Sequence, residues 1–113
     1  MRVVAVFDDL LLGSNVIGML RAAGHEASLV GPDEVHPDGA EVMVVDLARV
    51  DGVALVERLR DADELGRTKL LGVYSHVDVD SRRRAEDAGF DLVVPRSRMA
   101  REGPVLVERL AGA

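Results

Sequence analysis

The chain opens on an apolar run, Val3-Val4-Ala5-Val6-Phe7, and a second one, Val42-Met43-Val44-Val45, follows further on. Neither alternates apolar with polar. Short, β-branched runs of this kind belong to strands buried on both faces, as in a parallel sheet. The same reasoning predicts strands at 2–7, 27–30, 41–45, 69–74 and 92–94, the last stopped by Pro95. Between them the apolar period lengthens to that of a helix. A helix over about 14–23 carries Val16, Ile17 and Leu20, with Ser14 or Asn15 as its cap and Gly24 suited to the left-handed residue that ends it. Asp51 caps a helix over 52–63 that buries Val53, Val56 and Leu59. Asp78 or Asp80 starts a helix that ends near Gly89, with Val79, Ala85 and Ala88 as its sheet-facing residues. The last helix covers 98–111, and Pro104 inside it points to a later start. Residues 31–39 are dense in Gly, Pro and Asp and hold at most one helical turn.

Strands that alternate with helices make an α/β fold, because parallel neighbours need crossover connections. The expected architecture is a five-stranded parallel sheet of flavodoxin-like order 2-1-3-4-5 with helices on both faces. Its ligand crevice lies where the strand order reverses, between strands one and three. Asp8 and Asp9 follow strand one and Asp46 follows strand three. Three carboxylates meeting there repel one another unless a cation neutralises them. The expected chemistry is therefore Mg²⁺ and a phosphoryl group.

Composition narrows the reading. A chain of 113 residues is expected to form one domain, 1–113, with a sizeable core. Phe7, Tyr74 and Phe90 are its only aromatic residues, so that core must be mostly Val, Leu and Ala. Without cysteine there is no disulfide, thiolate metal site or cysteine nucleophile. No apolar run reaches the roughly 20 residues of a membrane span. The N-terminus lacks a signal-peptide pattern, and a cytoplasmic location is expected. The net charge of −6 lies entirely in residues 1–56, where Arg2, Arg21 and Arg49 face nine acids. That balance argues against nucleic acid as a partner. Arg82-Arg83-Arg84 is a local exception, read as a solvated helix face with pairs such as Arg83 with Glu86 or Asp87.

Other motifs exclude more than they suggest. Gly13 and Gly18 are not followed by the Lys-Ser/Thr of a phosphate loop, and no Gly-x-Gly-x-x-Gly occurs. His25, His36 and His76 share no zinc-ligand spacing.

Phe7-Asp8-Asp9, Val44-Val45-Asp46-Leu47, Asp51-Gly52 and Ala88-Gly89-Phe90-Asp91-Leu92-Val93-Val94 occur in an order that resembles the receiver domain of bacterial response regulators. The resemblance covers nearly the whole chain. It implies that Asp46 is the phosphoacceptor and that Asp8, Asp9, Asp46 and the main-chain carbonyl near Ala48 hold Mg²⁺. It also implies a histidine kinase or phosphotransfer protein as donor, and an output protein or homodimer docking on the 80–111 face. Tyr74 stands where the family has a small hydroxyl residue, with Ser75 next to it. Arg96 stands at the phosphoryl-contacting lysine, Ser97 at the following proline, and the Met-Pro after the phosphoacceptor is missing. An arginine fork is longer and differently aimed than an ammonium.

Three functions follow as expectations. The first is an atypical stand-alone receiver-like signalling protein with Mg-dependent phosphoacceptance at Asp46, and no enzyme beyond that. The second is a non-phosphorylated pseudo-receiver acting as a protein-interaction module, with Arg96 in place of Mg²⁺. The third is a small flavodoxin-like hydrolase or ligand-binding domain using the same crevice, a reading without an evident general base or phosphate-cradling glycine loop.

Overall fold

The computed structural model describes residues 1–75 and 78–112. Five strands, β1 (Arg2–Val6), β2 (Glu26–Val30), β3 (Val42–Asp46), β4 (Lys69–Tyr74) and β5 (Leu92–Pro95), form one parallel sheet of order β2-β1-β3-β4-β5. The helices are α1 (Leu10–Ala22), α2 (Gly52–Asp61), α3 (Val79–Asp87) and α4 (Arg96–Ala111). A single 3₁₀ turn at Pro32–Glu34 is the only helical piece in the breaker-rich stretch.

The unbroken valine runs serve two cores at once, because successive residues of a strand point to opposite faces. Val3, Ala5, Val42, Val44, Leu71 and Val73 pack against α1 and α4 through Leu20, Met99 and Leu106. Val4, Val6, Met43, Val45, Leu70 and Val93 pack against α2 and α3 through Leu55, Leu59 and Ala85. Gly103 of α4 lies so close to the Met19 and Met99 side chains that an added Cβ would collide with them, which brings α4 tight against α1.

Three local expectations change. Helix α1 begins at Leu10 rather than 14, capped by Asp9 and not by Ser14 or Asn15. One Asp9 carboxylate oxygen accepts hydrogen bonds from the Leu11 and Leu12 amides at 3.1 and 3.2 Å. Helix α4 begins at Arg96 and runs through Pro104. A proline there removes one helical hydrogen bond, but Met99 before it and Leu106, Val107 and Leu110 after it are all buried in the same core and hold both halves in line. Val79 is 61% exposed instead of facing the sheet, because α3 meets the core chiefly through Ala85.

The α1 cap carries a prediction. Asp9→Ala should cost about 1 kcal/mol, the usual loss for an aspartate cap. Urea unfolding measures it, with faster amide exchange at Leu11 and Leu12 as its local mark.

Candidate functional site

The residues predicted from sequence gather only in part. Asp46 is the last residue of β3 and pairs across the ladder with Val73 of β4. By strand alternation its side chain follows Val44 toward the α1–α4 layer. It is fully buried, with 0% of its surface accessible. Arg96, the first residue of α4, approaches from that layer and places a terminal guanidinium nitrogen 3.5 Å from Asp46 Oδ1. The Ala48 amide donates to the same oxygen at 3.2 Å. Asp46 Oδ2 and Arg96 Nε are both buried with no hydrogen-bond partner.

The other acids lie apart from this pair. Asp8 is exposed at the mouth of the strand end, and Asp9 is engaged in the α1 cap. Among the described residues no three His, Asp or Glu side chains gather closely enough to hold a metal ion. Asp8, Asp9 and Asp46 therefore do not form one three-carboxylate cluster in this arrangement. The orphaned Oδ2 is an acceptor that a cation could use, but the neighbouring positive charge is the guanidinium. Ala48 meets Asp46 through its N–H.

Tyr74 follows Val73 in β4, so its side chain turns to the opposite face, into the α2–α3 core with Met43 and Phe90. That directs it away from the layer that holds Arg96. The Ser75 carbonyl accepts from the Asp78 amide at 2.8 Å, a turn contact that leads into α3. His76 lies outside the described residues. His25 contacts Glu108 at 2.9 Å, and His36 lies 3.4 Å from Glu64.

Among the described residues, Asp78 and Glu41 have carboxyls held below their ordinary values. The Ser81 hydroxyl and amide bonded to Asp78 hold its carboxyl below the ordinary aspartate value. The Arg2 amide does the same for Glu41. On α3, Arg82 rather than Arg83 pairs with Glu86, at 3.6 Å, as the four-residue spacing of a helix dictates.

Sequence reasoning favoured Asp9 as a metal ligand and gave the α1 cap to Ser14 or Asn15, although an aspartate directly before Leu10-Leu11-Leu12 is a helix-start signal. It also missed the Tyr74 orientation, which parity along β4 was enough to find. A partly open apolar hollow between α1, α4 and the sheet had no sequence signal.

No protein-family model matches the chain, and no curated protein matches it. Solved structures do. A Chloroflexus aurantiacus protein described as a response regulator superposes with a TM-score of 0.86 at 18% identity, over 99% of this chain and 98% of that one. The non-phosphorylated HemR receiver domain of Leptospira biflexa gives 0.79 at 18% identity, over 99% and 94%. A receiver domain from Methylobacillus flagellatus also gives 0.79 at 18% identity, over 97% and 98%. The chain thus has the fold of response-regulator receiver domains. Among the described residues no helix is long and apolar enough to cross a membrane.

Proposed function

We propose that the chain is a receiver-like signalling module in which the Asp46–Arg96 pair replaces the Mg²⁺-phosphoryl centre, and that it signals through protein contacts. The observation that carries this reading is the complete burial of Asp46 beneath a guanidinium. A carboxylate attacks phosphorus only if an oxygen reaches it while cations screen the phosphoryl oxygens. Here both oxygens are shielded and one already faces Arg96. The natural partners are components of two-component signalling, a histidine kinase, a phosphotransfer protein or an output protein. The face formed by α3, β5 and α4 is their docking surface.

One observation favours a second reading, phosphoacceptance at Asp46 with Mg²⁺: Oδ2 has no hydrogen bond. A buried carboxylate oxygen without a partner is costly, and a cation or phosphoryl chemistry would use it. One experiment separates the two. The protein is mixed with Mg²⁺ and beryllofluoride, and amide shifts are followed at Asp8, Asp46 and Tyr74. Unchanged shifts are expected. Perturbations that disappear in Asp46→Asn would overturn the pseudo-receiver and establish the acceptor.

A further inference from the structure

Leu47 follows Asp46 and extends the β3–β4 ladder by one bond, its amide donating to the Val73 carbonyl at 2.8 Å. By strand alternation the two side chains leave the sheet on opposite faces. Asp46 turns toward α1 and α4, and Leu47 packs against the α2–α3 core. There Leu47 fills a socket walled by two glycines. A Cβ built on Gly52, the first residue of α2, would stand 2.5 Å from Leu47 Cδ2. One built on Gly72, inside β4, would stand 2.7 Å from Leu47 Cδ1. Phe90 closes the socket, at 3.2 and 3.1 Å from the same two Cβ positions. Neither glycine has a positive φ, so these positions require space and not an unusual backbone. Glycine inside a strand weakens it and marks a close approach, and here the approaching group is Leu47. We propose that Leu47 is the positioning residue of the Asp46–Arg96 pair: seated between Gly52 and Gly72, it fixes the turn that holds the Ala48 N–H on Asp46 Oδ1.

The way Asp46 is held makes that turn decisive. Its Oδ1 is met by the Ala48 amide at 3.2 Å and by the guanidinium at 3.5 Å, whereas Oδ2 has no partner. The carboxylate is thus oriented through one oxygen, and a charge-assisted bond from the Ala48 N–H sets its rotation. Between Asp46 and Val50, Ala48 and Arg49 are exposed, and only Leu47 reaches into a core. Val50 closes the far end of the turn, its amide donating to the Asp46 carbonyl at 2.9 Å. Freed from its socket, Leu47 would let Ala48 swing away and the carboxylate rotate. Arg96 belongs to α4 on the other face and does not travel with the turn, so the pair would part. This role rests on the proposed pairing of Asp46 with Arg96.

Three backgrounds test it. Leu47→Ala empties the socket, and Leu47→Met refills it with a side chain of similar volume. Gly52→Ala displaces Leu47 from the other side, while the helix propensity of alanine favours α2. Arg96→Met is introduced into the parent and into each background, and its effect is read as the fold-change in the urea-unfolding constant extrapolated to water. That factor should be at least about 30-fold in the parent and in Leu47→Met, as for a buried pair that loses one partner. It should fall below about fivefold in Leu47→Ala and lie between the two in Gly52→Ala, because the pair is already parted. A packing role alone lowers stability equally with and without Arg96→Met and leaves the factor unchanged. Amide exchange at Ala48 should quicken in Leu47→Ala and Gly52→Ala and keep the parent rate in Leu47→Met. Gly52→Ala and the Ala48 exchange rates carry the test if Leu47→Ala with Arg96→Met is too unstable to measure. The parent factor retained in Leu47→Ala or Gly52→Ala, or Ala48 exchange unchanged in both, would overturn the positioning role. Arg96→Met without effect in the parent itself would instead overturn the pairing, so the two failures are told apart.

Discussion

Arg96→Met should lower folding stability by about 2–3 kcal/mol, measured as a fall in the urea midpoint at unchanged slope. The substitution leaves Asp46, which has no solvent contact, without its counter-charge. Breaking a fully buried ion pair typically costs 3–5 kcal/mol, because the remaining charge is desolvated and uncompensated. The Arg96 side chain is 37% exposed, so water already screens part of the pair and the expected loss is smaller. The methionine stem retains most of the apolar contact of the arginine, which isolates the charge effect. Asp46→Leu with Arg96→Met removes both charges and should recover most of the loss, because an apolar pair of similar volume avoids desolvation altogether. A double-mutant cycle over the two positions then gives the coupling directly. If Arg96→Met unfolds at the same urea concentration as the parent, Arg96 is not what neutralises Asp46, and the proposed function fails with it.

Phe7→Ala should cost more, about 3–5 kcal/mol. Phe7 is 1% exposed and continues the β1 run into the α1–α4 core. The price of a large-to-small change rises with the cavity left behind. Here collapse is obstructed. Phe7 already borders the hollow of about 240 Å³ between α1, α4 and the sheet, so the vacated space joins an existing void instead of being filled by a neighbour. Gly13 lies so near that a Cβ built on it would stand 3.0 Å from Phe7 Cβ, so the backbone of α1 is already as close to the strand as it can come. Phe7→Leu, which keeps most of the volume, should cost under about 1.5 kcal/mol. Chemical denaturation of both variants checks the difference. An alanine variant no weaker than the leucine variant would mean that α1 shifts inward to close the space.

Much of the fold was legible because its signals are local. Val3–Phe7 and Val42–Val45 announced central strands, and Asp51 and Asp78 announced helix starts, while the order 2-1-3-4-5 was expected from the flavodoxin-like arrangement and is the one found. The misreadings were local conflicts decided elsewhere. Leu10 and Leu11 are 69% and 75% exposed, and the first turn of α1 faces the core only through Leu12 and Gly13, so its three successive leucines do not mark the helix by period. Pro104 argued for a break in α4, but burial of the residues on either side of it overrode that preference.

The candidate site divides along the same line. Asp46 was legible as a strand-end carboxylate because both its identity and its place depend on a run of four apolar neighbours. Its counter-charge was left open between Mg²⁺ and Arg96. Asp8, Asp9 and Arg96 all end or begin elements at one edge of the sheet, and nothing in their spacing says which comes within reach of Asp46. Helix α1, starting early, drew Asp9 into its cap, while α4, starting at Arg96, brought a guanidinium to the buried oxygen. Sequence alone determined the alternation of strands and helices and hence the α/β class, since periodicity is a property of short segments. The counter-charge of Asp46 and the void beside it were decided only in the tertiary structure, because both depend on how α1 and α4 dock against the sheet across most of the chain.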